Sequence, residues 1–562
     1  VRNEAEGQKL KGAEMRIQLL VYLLLSATAA VAQTISGSVV GSVKDPSGLG
    51  VAQAEVALTQ TATNALREAR TNERGDFVFA SLPPGEYSLA VKVAGFKTAQ
   101  RRPLMLTASE TLPVGDIVLE VGNVTDSVTV TTEGAVVQTA SSERAGVITG
   151  SQVQDIQVLG RNVTDLLALL PGVVQPASSE AIVRSYGLNV NGNRNTSLSV
   201  SIDGMGQNQP QGANNGLLNV SQDAVAEVKI LLSNYQAEYG RFSGGNVQVI
   251  TKSGTRDFHG LGSYFKRHEQ FNATNFFANR LGQSKPRYRY NTWNYNIGGP
   301  VYIPNRFNRD RDKLFFFWSQ EFWPSKTSQA GRTVTVPTEL ERGGDFSQSR
   351  DLNNALIPVL DPTTRRPLPG NIVPASQLDR NGQALLRVFP AANFFDRSIS
   401  AGRYNYVFST ESEIVNQLST LKLDYNITPR HLLSGSVNMH DEERNGFGVP
   451  AAGTTNWDHF RAEYITRPKQ VVIRYQTIIS PSLVNELYAG GNGRSEFHHR
   501  GQRARKAAEK HGGLHARPVQ PRDESAGCSP ERHLRRSDGC GHSQFRRPSA
   551  AVGDAIGVRA HR

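Results

Sequence analysis

The chain has 562 residues, 38% hydrophobic and 8% aromatic, with a mean hydropathy of −0.40 and a formal charge of +12, of which residues 497–562 supply 8 through 14 Lys/Arg against 6 Asp/Glu. That length leaves room for several domains. No run reaches the roughly 18 apolar residues of a spanning helix, so the chain is soluble or meets lipid as a barrel, whose strands alternate apolar with polar residues.

The first landmark is "MRIQLLVYLLLSATAAVAQ", residues 15–33. Arg16 follows a start-like Met15, an apolar run spans Leu19–Leu25, and Ala30-Val31-Ala32 precedes Gln33. The order is that of a cleaved secretory signal peptide over residues 15–32. Residues 1–14 read as a misassigned leader. No cysteine occurs between Gln33 and Glu496, which suits an exported protein assembled without disulfides.

Residues 33–121 alternate like a small β-sandwich. In "TNERGDFVFASLPPGEYSLAVKVAGF", Phe77, Phe79, Leu82, Tyr87, Leu89, Val91 and Val93 share one face at period two, with a phase reset at the turn. Gly75-Asp76 and Pro83-Pro84-Gly85 are turn chemistry. The T-x-x-x-G-x-F-x-F-x-x-L-P-P-G-x-Y motif resembles the carboxypeptidase regulatory-like domain. The resemblance implies a prealbumin-like sandwich serving as a structural or binding appendage. His440-Asp441-Glu442-Glu443 fits H-x-x-E, but zinc needs a third ligand and a base around an open site. No metal, cofactor or catalytic residue is assigned.

Residues 122–134 form a β-prone linker, "NVTDSVTVTTEG" from Asn123, without a hairpin partner. It reads either as a last sandwich strand or as a strand kept free for another protein to pair with. From 135 to 253 the pattern becomes mixed α/β. Val163, Leu166, Leu167 and Leu170 stand at helical spacing, and Pro171-Gly172 stops the helix. "LNVNGNRNTSLSVSIDGMGQNQ" predicts two strands around Asn/Gly turns.

Here a second resemblance emerges. Gly160-Arg161-Asn162, Val190-Asn191-Gly192 with Arg194, Asp203-Gly204, Tyr239-Gly240, and Gly244-Gly245 followed by Val247–Lys252 resemble the plug domain of TonB-dependent outer-membrane receptors. The domain order is similar to their Oar-like branch. By the same resemblance Asp126, Ser127, Val128, Thr129, Val130, Thr131 and Thr132 are identified as a TonB-box candidate. Asn191, Arg194, Asn195, Gln207 and Asn208 are candidate ligand contacts on turns.

Residues 254–496 carry strands of about ten residues each. In "KLFFFWSQEFW", Leu314, Phe316, Trp318 and Phe322 take one face and Phe317, Ser319 and Glu321 the other. A lipid-facing row beside a lumen-facing row fits a barrel wall, with Phe and Trp suited to an interfacial girdle. Residues 327–415 read as a long extracellular loop. Seven strands are recognisable, against about 22 in a closed plugged barrel, so the antiparallel transmembrane barrel is expected to be incomplete. Residues 497–562 lose alternation and gain Arg, His and both cysteines, as an out-of-frame stretch or a basic tail would.

The expected fold is thus mainly β: sandwich, α/β plug, then the first strands of a barrel. The resemblance implies an outer-membrane receptor that takes up a siderophore, glycan, peptide or protein through TonB, with lipid as its second partner and no nucleic acid. A surface adhesion or matrix-binding protein is the alternative, and a soluble secreted sandwich protein is a further one.

Overall fold

The computed structural model describes residues 35–123, 127–131, 141–158, 160–175, 188–207, 218–240, 242–274, 276–280, 282, 285–387, 389–446, 462–480, 483–500 and 555–561. The predicted leader and signal peptide, 1–32, lie outside them, as do Asp126, Thr132 and Asn208.

The sandwich pairs a three-stranded with a five-stranded sheet. Its strands are β1 (Gly37–Lys44), β2 (Glu55–Gln60), β3 (Leu66–Arg70), β4 (Asp76–Leu82), β5 (Gly85–Lys92), β6 (Thr98–Leu106), β7 (Thr111–Val118) and β8 (Ser127–Thr131). They order as β4-β1-β7 and β3-β2-β5-β6-β8. The predicted inward row is buried between the sheets: Phe77, Phe79, Leu82, Tyr87, Leu89 and Val91 join Val39, Val56, Leu58 and Leu104, with Val93 at the margin. Tyr87 buries its ring yet donates its hydroxyl to Pro83 O at 2.6 Å, so the polar end is satisfied. Gly41 lets the sheets close, since a Cβ there would sit 2.6 Å from Val114 and 2.7 Å from Phe77.

The plug begins with β9 (Arg144–Thr149), then α1 (Gly150–Asp155), α2 (Val163–Leu167), β10 (Val173–Val174), β11 (Asn189–Val190), β12 (Ser199–Ile202), β13 (Met205–Gly206), β14 (Val225–Ser233) and β15 (Asn246–Thr251). Thr149 caps α1 with a capping box completed by Gln152. The main sheet orders β13-β12-β15-β14-β9. Its apolar core is drawn from the plug alone, with Val153, Leu166, Leu167, Val200, Ile202, Val228, Ile230, Val247 and Val249 at its centre.

The wall follows as β16 (His259–Arg267), β17 (Tyr288–Pro300), β18 (Leu314–Phe322), β19 (Ser325–Val334), β20 (Tyr406–Thr428), β21 (His431–Gly446), β22 (Ala462–Ser480), β23 (Leu483–Arg500) and β24 (Ala555–His561). All are antiparallel in one nine-stranded sheet, an arc with β16 and β24 at its edges. The seven predicted strands are present. β19 prolongs the line of β18, and β24 places a strand in the tail where none was expected.

The wall is polar inside and apolar outside, the reverse of a soluble sandwich. Ile297, Leu423, Val471 and Ile473 keep 42–48% of their surface exposed, while Asn294, Glu321, Asn416, Asn438, Glu442, Gln470 and Glu486 are buried. β18 follows the predicted faces: Phe317, Ser319 and Glu321 are buried inward, and Phe316 and Trp318 pair with Leu423 and Leu421 on the outer row. From Leu314 to Phe322 that row covers about 27 Å along the strand at ~3.4 Å per residue. A tilt of ~40° leaves about 20 Å across the bilayer, close to the apolar band of outer-membrane barrels. Trp293 stacks on Phe322 at the upper border. Beyond it the pairs Lys326–Glu413 (2.8 Å) and Arg287–Glu411 (3.1 Å) stand in solvent.

Those charged pairs explain one difference from expectation. The hairpin β19–β20 continues above the lipid as paired strands, so the loop proper spans 335–405 instead of 327–415. A polar alternating strand outside lipid has the composition of a loop. The long segment lies at one rim and the short turns, such as 429–430, at the other; outer-membrane barrels place these outside and in the periplasm respectively.

The outward row gives a depth-dependent expectation. Val471→Arg, in mid-band, should destabilise the wall by about 2–4 kcal/mol, and Met439→Arg, at the border beside Lys469, by about 0–1 kcal/mol. Urea unfolding from lipid vesicles measures both, and equal losses would contradict the orientation.

Candidate functional site at the plug

Asp203 and Gly204 form the tight turn between β12 and β13, both at positive φ (49° and 85°), which Asp and Gly tolerate best. The Asp203 carboxylate accepts from the Thr251 backbone N–H at 3.0 Å and from the Thr251 hydroxyl at 2.8 Å, tying the turn to the end of β15. Three wall strands converge on it. Lys422 of β20 lies 3.8 Å from the carboxylate and donates to Thr251 O at 3.0 Å. Asn438 of β21 approaches at 3.5 Å, and Tyr488 of β23 donates to Asp203 O at 3.2 Å.

A second junction joins plug and wall through Asp223. Arg161 meets it at 2.7 Å, with its guanidinium 4.0 Å from the Phe265 ring centre. Asn294 and Ser263 donate to the same oxygen at 2.7 and 3.0 Å. Burial pushes the Asp223 carboxyl up, but the Arg161 charge and these hydrogen bonds outweigh it and hold the group below its ordinary value. Beside it, Ser221 donates to Glu321 at 2.7 Å.

The remaining motif residues shape the plug. Gly244 and Gly245 pass so close to neighbouring chain that a Cβ would lie 2.8 Å from Ser197 O and Leu231 O. Tyr239 is fully buried beside Gly240.

The candidate ligand contacts separate in space. Asn191 has a positive φ (50°) and donates its amide to Leu232 O at 3.1 Å. Arg194 is exposed on the same turn, and Asn195 starts the short helical turn Asn195–Ser197. β12 and β15 run parallel, so this turn and Gly244-Gly245 occupy one end of the sheet and Asp203 the other. Gln207 is elsewhere: it is fully buried and bonds Gln470 of β22, which in turn donates to Ile202 O at 3.0 Å. His440 and Glu443 of the H-x-x-E run fall on opposite faces of β21, and His440 bonds Asn416 at 3.0 Å. Among the described residues no His, Cys, Asp and Glu cluster could hold a metal ion. Lys422, Asn438 and Gln470 escaped sequence reading; their signal is that polar residues recur on the inward parity of each strand.

The TonB-box candidate is not an isolated strand. Ser127–Thr131 pairs parallel with β6, from Thr98↔Ser127 to Arg102↔Thr131, as the last strand of the sandwich sheet. Parallel pairing leaves no local hairpin signal. The sandwich itself holds both plug and wall. Its β6–β7 turn offers the Ala108 N–H to Glu227 at 2.6 Å, accepts Lys229 on Ala108 O at 2.8 Å, and donates Ser109 to Gln248 at 3.1 Å. At the short-turn rim Ser36 contacts Glu486 (3.2 Å) and Arg474 (3.0 Å), and Arg67 donates to Gln476 at 3.2 Å. A cavity of about 770 Å³ lies between the three bodies, lined by Ile35, Met105, Glu227, Lys252 and Tyr488 among others, and the sandwich is held at its border by these polar contacts and a small apolar cluster of Ile35, Ala108 and Ile250.

Burial pushes Glu227 up to about 6, against the lowering effect of the Ala108 N–H. A raised carboxyl binds its proton more tightly in the docked state. Docking is therefore strongest below the unperturbed value of 4.5, weakens as pH rises to about 6, and is flat above that. The loss is about 2 kcal/mol. Hydrogen exchange of the Thr107–Glu110 turn should show this slope, and Glu227→Gln should flatten it.

A plug seated against up-and-down strands, polar inside and apolar outside, defines a plugged outer-membrane barrel. Residues 38–120 match the carboxypeptidase regulatory-like domain, 137–247 the TonB-dependent receptor plug domain and 250–538 an outer membrane beta barrel domain. The barrel match alone covers more than half of the 562 residues, and the chain belongs to the TonB-dependent receptors, in their Oar-like branch. The TonB-dependent transporter Oar of Myxococcus xanthus is 28% identical over 257 residues, 42% of this chain and 22% of that protein. Among solved structures, the outer membrane transporter YddB from Escherichia coli has 12% identity and a TM-score of 0.41, over 63% of this chain and 39% of that one. The siderophore receptor PirA from Acinetobacter baumannii has 11% identity and a TM-score of 0.34, over 63% and 40%. The chain thus spans less than half the length of each of these three proteins.

Proposed function

We propose that the protein is the receptor and gated pore for TonB-dependent uptake of an extracellular ligand across the outer membrane, exported by its 15–32 signal peptide. The observation that carries this is the nature of the plug–wall contact. The plug keeps its main apolar core to itself and, beside one small apolar cluster of Met205 with Val472 and Tyr488, meets the wall through the polar pairs Asp203–Lys422, Asp223–Asn294, Ser221–Glu321 and Gln207–Gln470. Polar pairs exchange with water at a net cost of only about 1 kcal/mol each, so such a plug can shift without losing its fold.

In this reading ligand enters from the 335–405 side and meets the plug turn carrying Asn191, Arg194 and Asn195. TonB takes the 127–131 strand from the periplasm and transmits work from the proton gradient. Arg194→Ala should weaken ligand binding, whereas Gln207→Ala should loosen the plug and leave the affinity unchanged.

Cells with and without the receptor, grown on siderophore, glycan or peptide pools as limiting nutrient, test the proposal. Receptor-dependent accumulation should stop when an uncoupler collapses the proton gradient, while surface binding persists. Surface binding without accumulation would return the adhesion reading.

A further inference from the structure

Resting on the reading of 127–131 as the strand that TonB takes, we infer that the regulatory sandwich is its keeper: β6 stores the strand at rest, and TonB obtains it only by stripping it from β6. All five residues of β8 are in register with β6, from Thr98↔Ser127 to Arg102↔Thr131. The backbone groups on that side of β8 are therefore already committed, while its other side is a sheet edge among the described residues.

β6 cannot travel with the strand. It is bonded to β5 on its far side, and Leu104 and Leu106 are buried in the sandwich core. The turn that follows is fastened to the plug through Ala108–Glu227 and Ser109–Gln248. A partner that merely added to the outer edge of β8 would load this fastened body. Beyond Thr131 the chain leads to β9, the edge strand of the plug sheet on β14. Tension reaches β9 only after β8 has left β6, because until then the fastened β6 bears the pull. A short parallel edge strand suits such a release, since parallel pairing is the weaker kind per residue. The sandwich then lowers the apparent affinity for TonB by the fraction of time that β8 is free.

The purified receptor and the periplasmic domain of TonB provide the test. Ala99 and Val128 are register partners. Their Cα atoms, about 4.8 Å apart in neighbouring strands, are within disulfide reach. In Ala99→Cys/Val128→Cys, oxidation should reduce TonB binding about tenfold or more and reduction should restore it. Equal affinity in the two redox states overturns the keeper role. In the unmodified receptor, adding TonB should speed hydrogen exchange in 98–102 while 127–131 stays protected by its new partner. Unchanged exchange in 98–102 while TonB binds also overturns it. Val130→Pro separates the two ideas: if this variant still binds TonB, the reading of 127–131 itself fails, whatever the cysteine pair does.

Discussion

Val130→Pro should abolish energy-coupled uptake and leave ligand binding at the cell surface intact. Proline has no backbone N–H and its ring crowds the preceding residue, so a strand carrying it loses a ladder bond. Recognition of an added strand depends on the main chain, with side chains setting register. Single alanine substitutions across Ser127–Thr131 should accordingly leave uptake near the wild-type level. In the structure Val130 pairs with Arg101 of β6, so the same proline also frees the strand from the sandwich. Normal uptake by the variant would place the energy-coupling segment elsewhere, most plainly before the sandwich near Gln33. Loss of surface binding together with uptake would make β8 a structural strand only.

The parts that were legible in the sequence are those where pattern and solvent agree locally. Phe77, Phe79, Tyr87 and Leu89 announce an inward row because period-two alternation is bounded by Gly75-Asp76 and Pro83-Pro84-Gly85. Phe316 and Trp318 announce an outward row because polar Ser319 and Glu321 interleave with them. What was not legible depends on residues far apart in the chain. Asp203 and Lys422 meet at 3.8 Å only because the turn after β12 reaches the wall at β20. Gln207, a polar residue after an Asn/Gly-rich stretch, has the composition of a ligand contact, yet it is buried against Gln470. The upper ends of β19 and β20 read as loop because outside lipid their outward positions are charged. β8 was ambiguous because a parallel partner lies some thirty residues back and leaves no turn between them.

Asp203→Ala should loosen the plug more than any other single change at the junctions. It removes the acceptor of the Thr251 N–H and hydroxyl, and it leaves Lys422 facing the lumen wall without its carboxylate. Breaking a buried ion pair from one side costs about 3–5 kcal/mol, because the remaining charge stays desolvated. Alanine at φ 49° adds about 1–2 kcal/mol of backbone strain, which Asn largely avoids. Asp203→Asn should therefore fall between wild type and Asp203→Ala. Lys422→Met alone should destabilise the plug by exposing the opposite imbalance. Combined with Asp203→Ala it should cost less than the two single losses added, since no charge is then stranded. The urea concentration at which protease first cuts the plug in the membrane-embedded receptor gives the ranking. In cells, a loosened plug should admit large antibiotics such as vancomycin, which a seated plug excludes. If Asp203→Ala and Lys422→Met lose stability additively, the two side chains act independently, and the contact at 3.8 Å does not hold the plug to its wall.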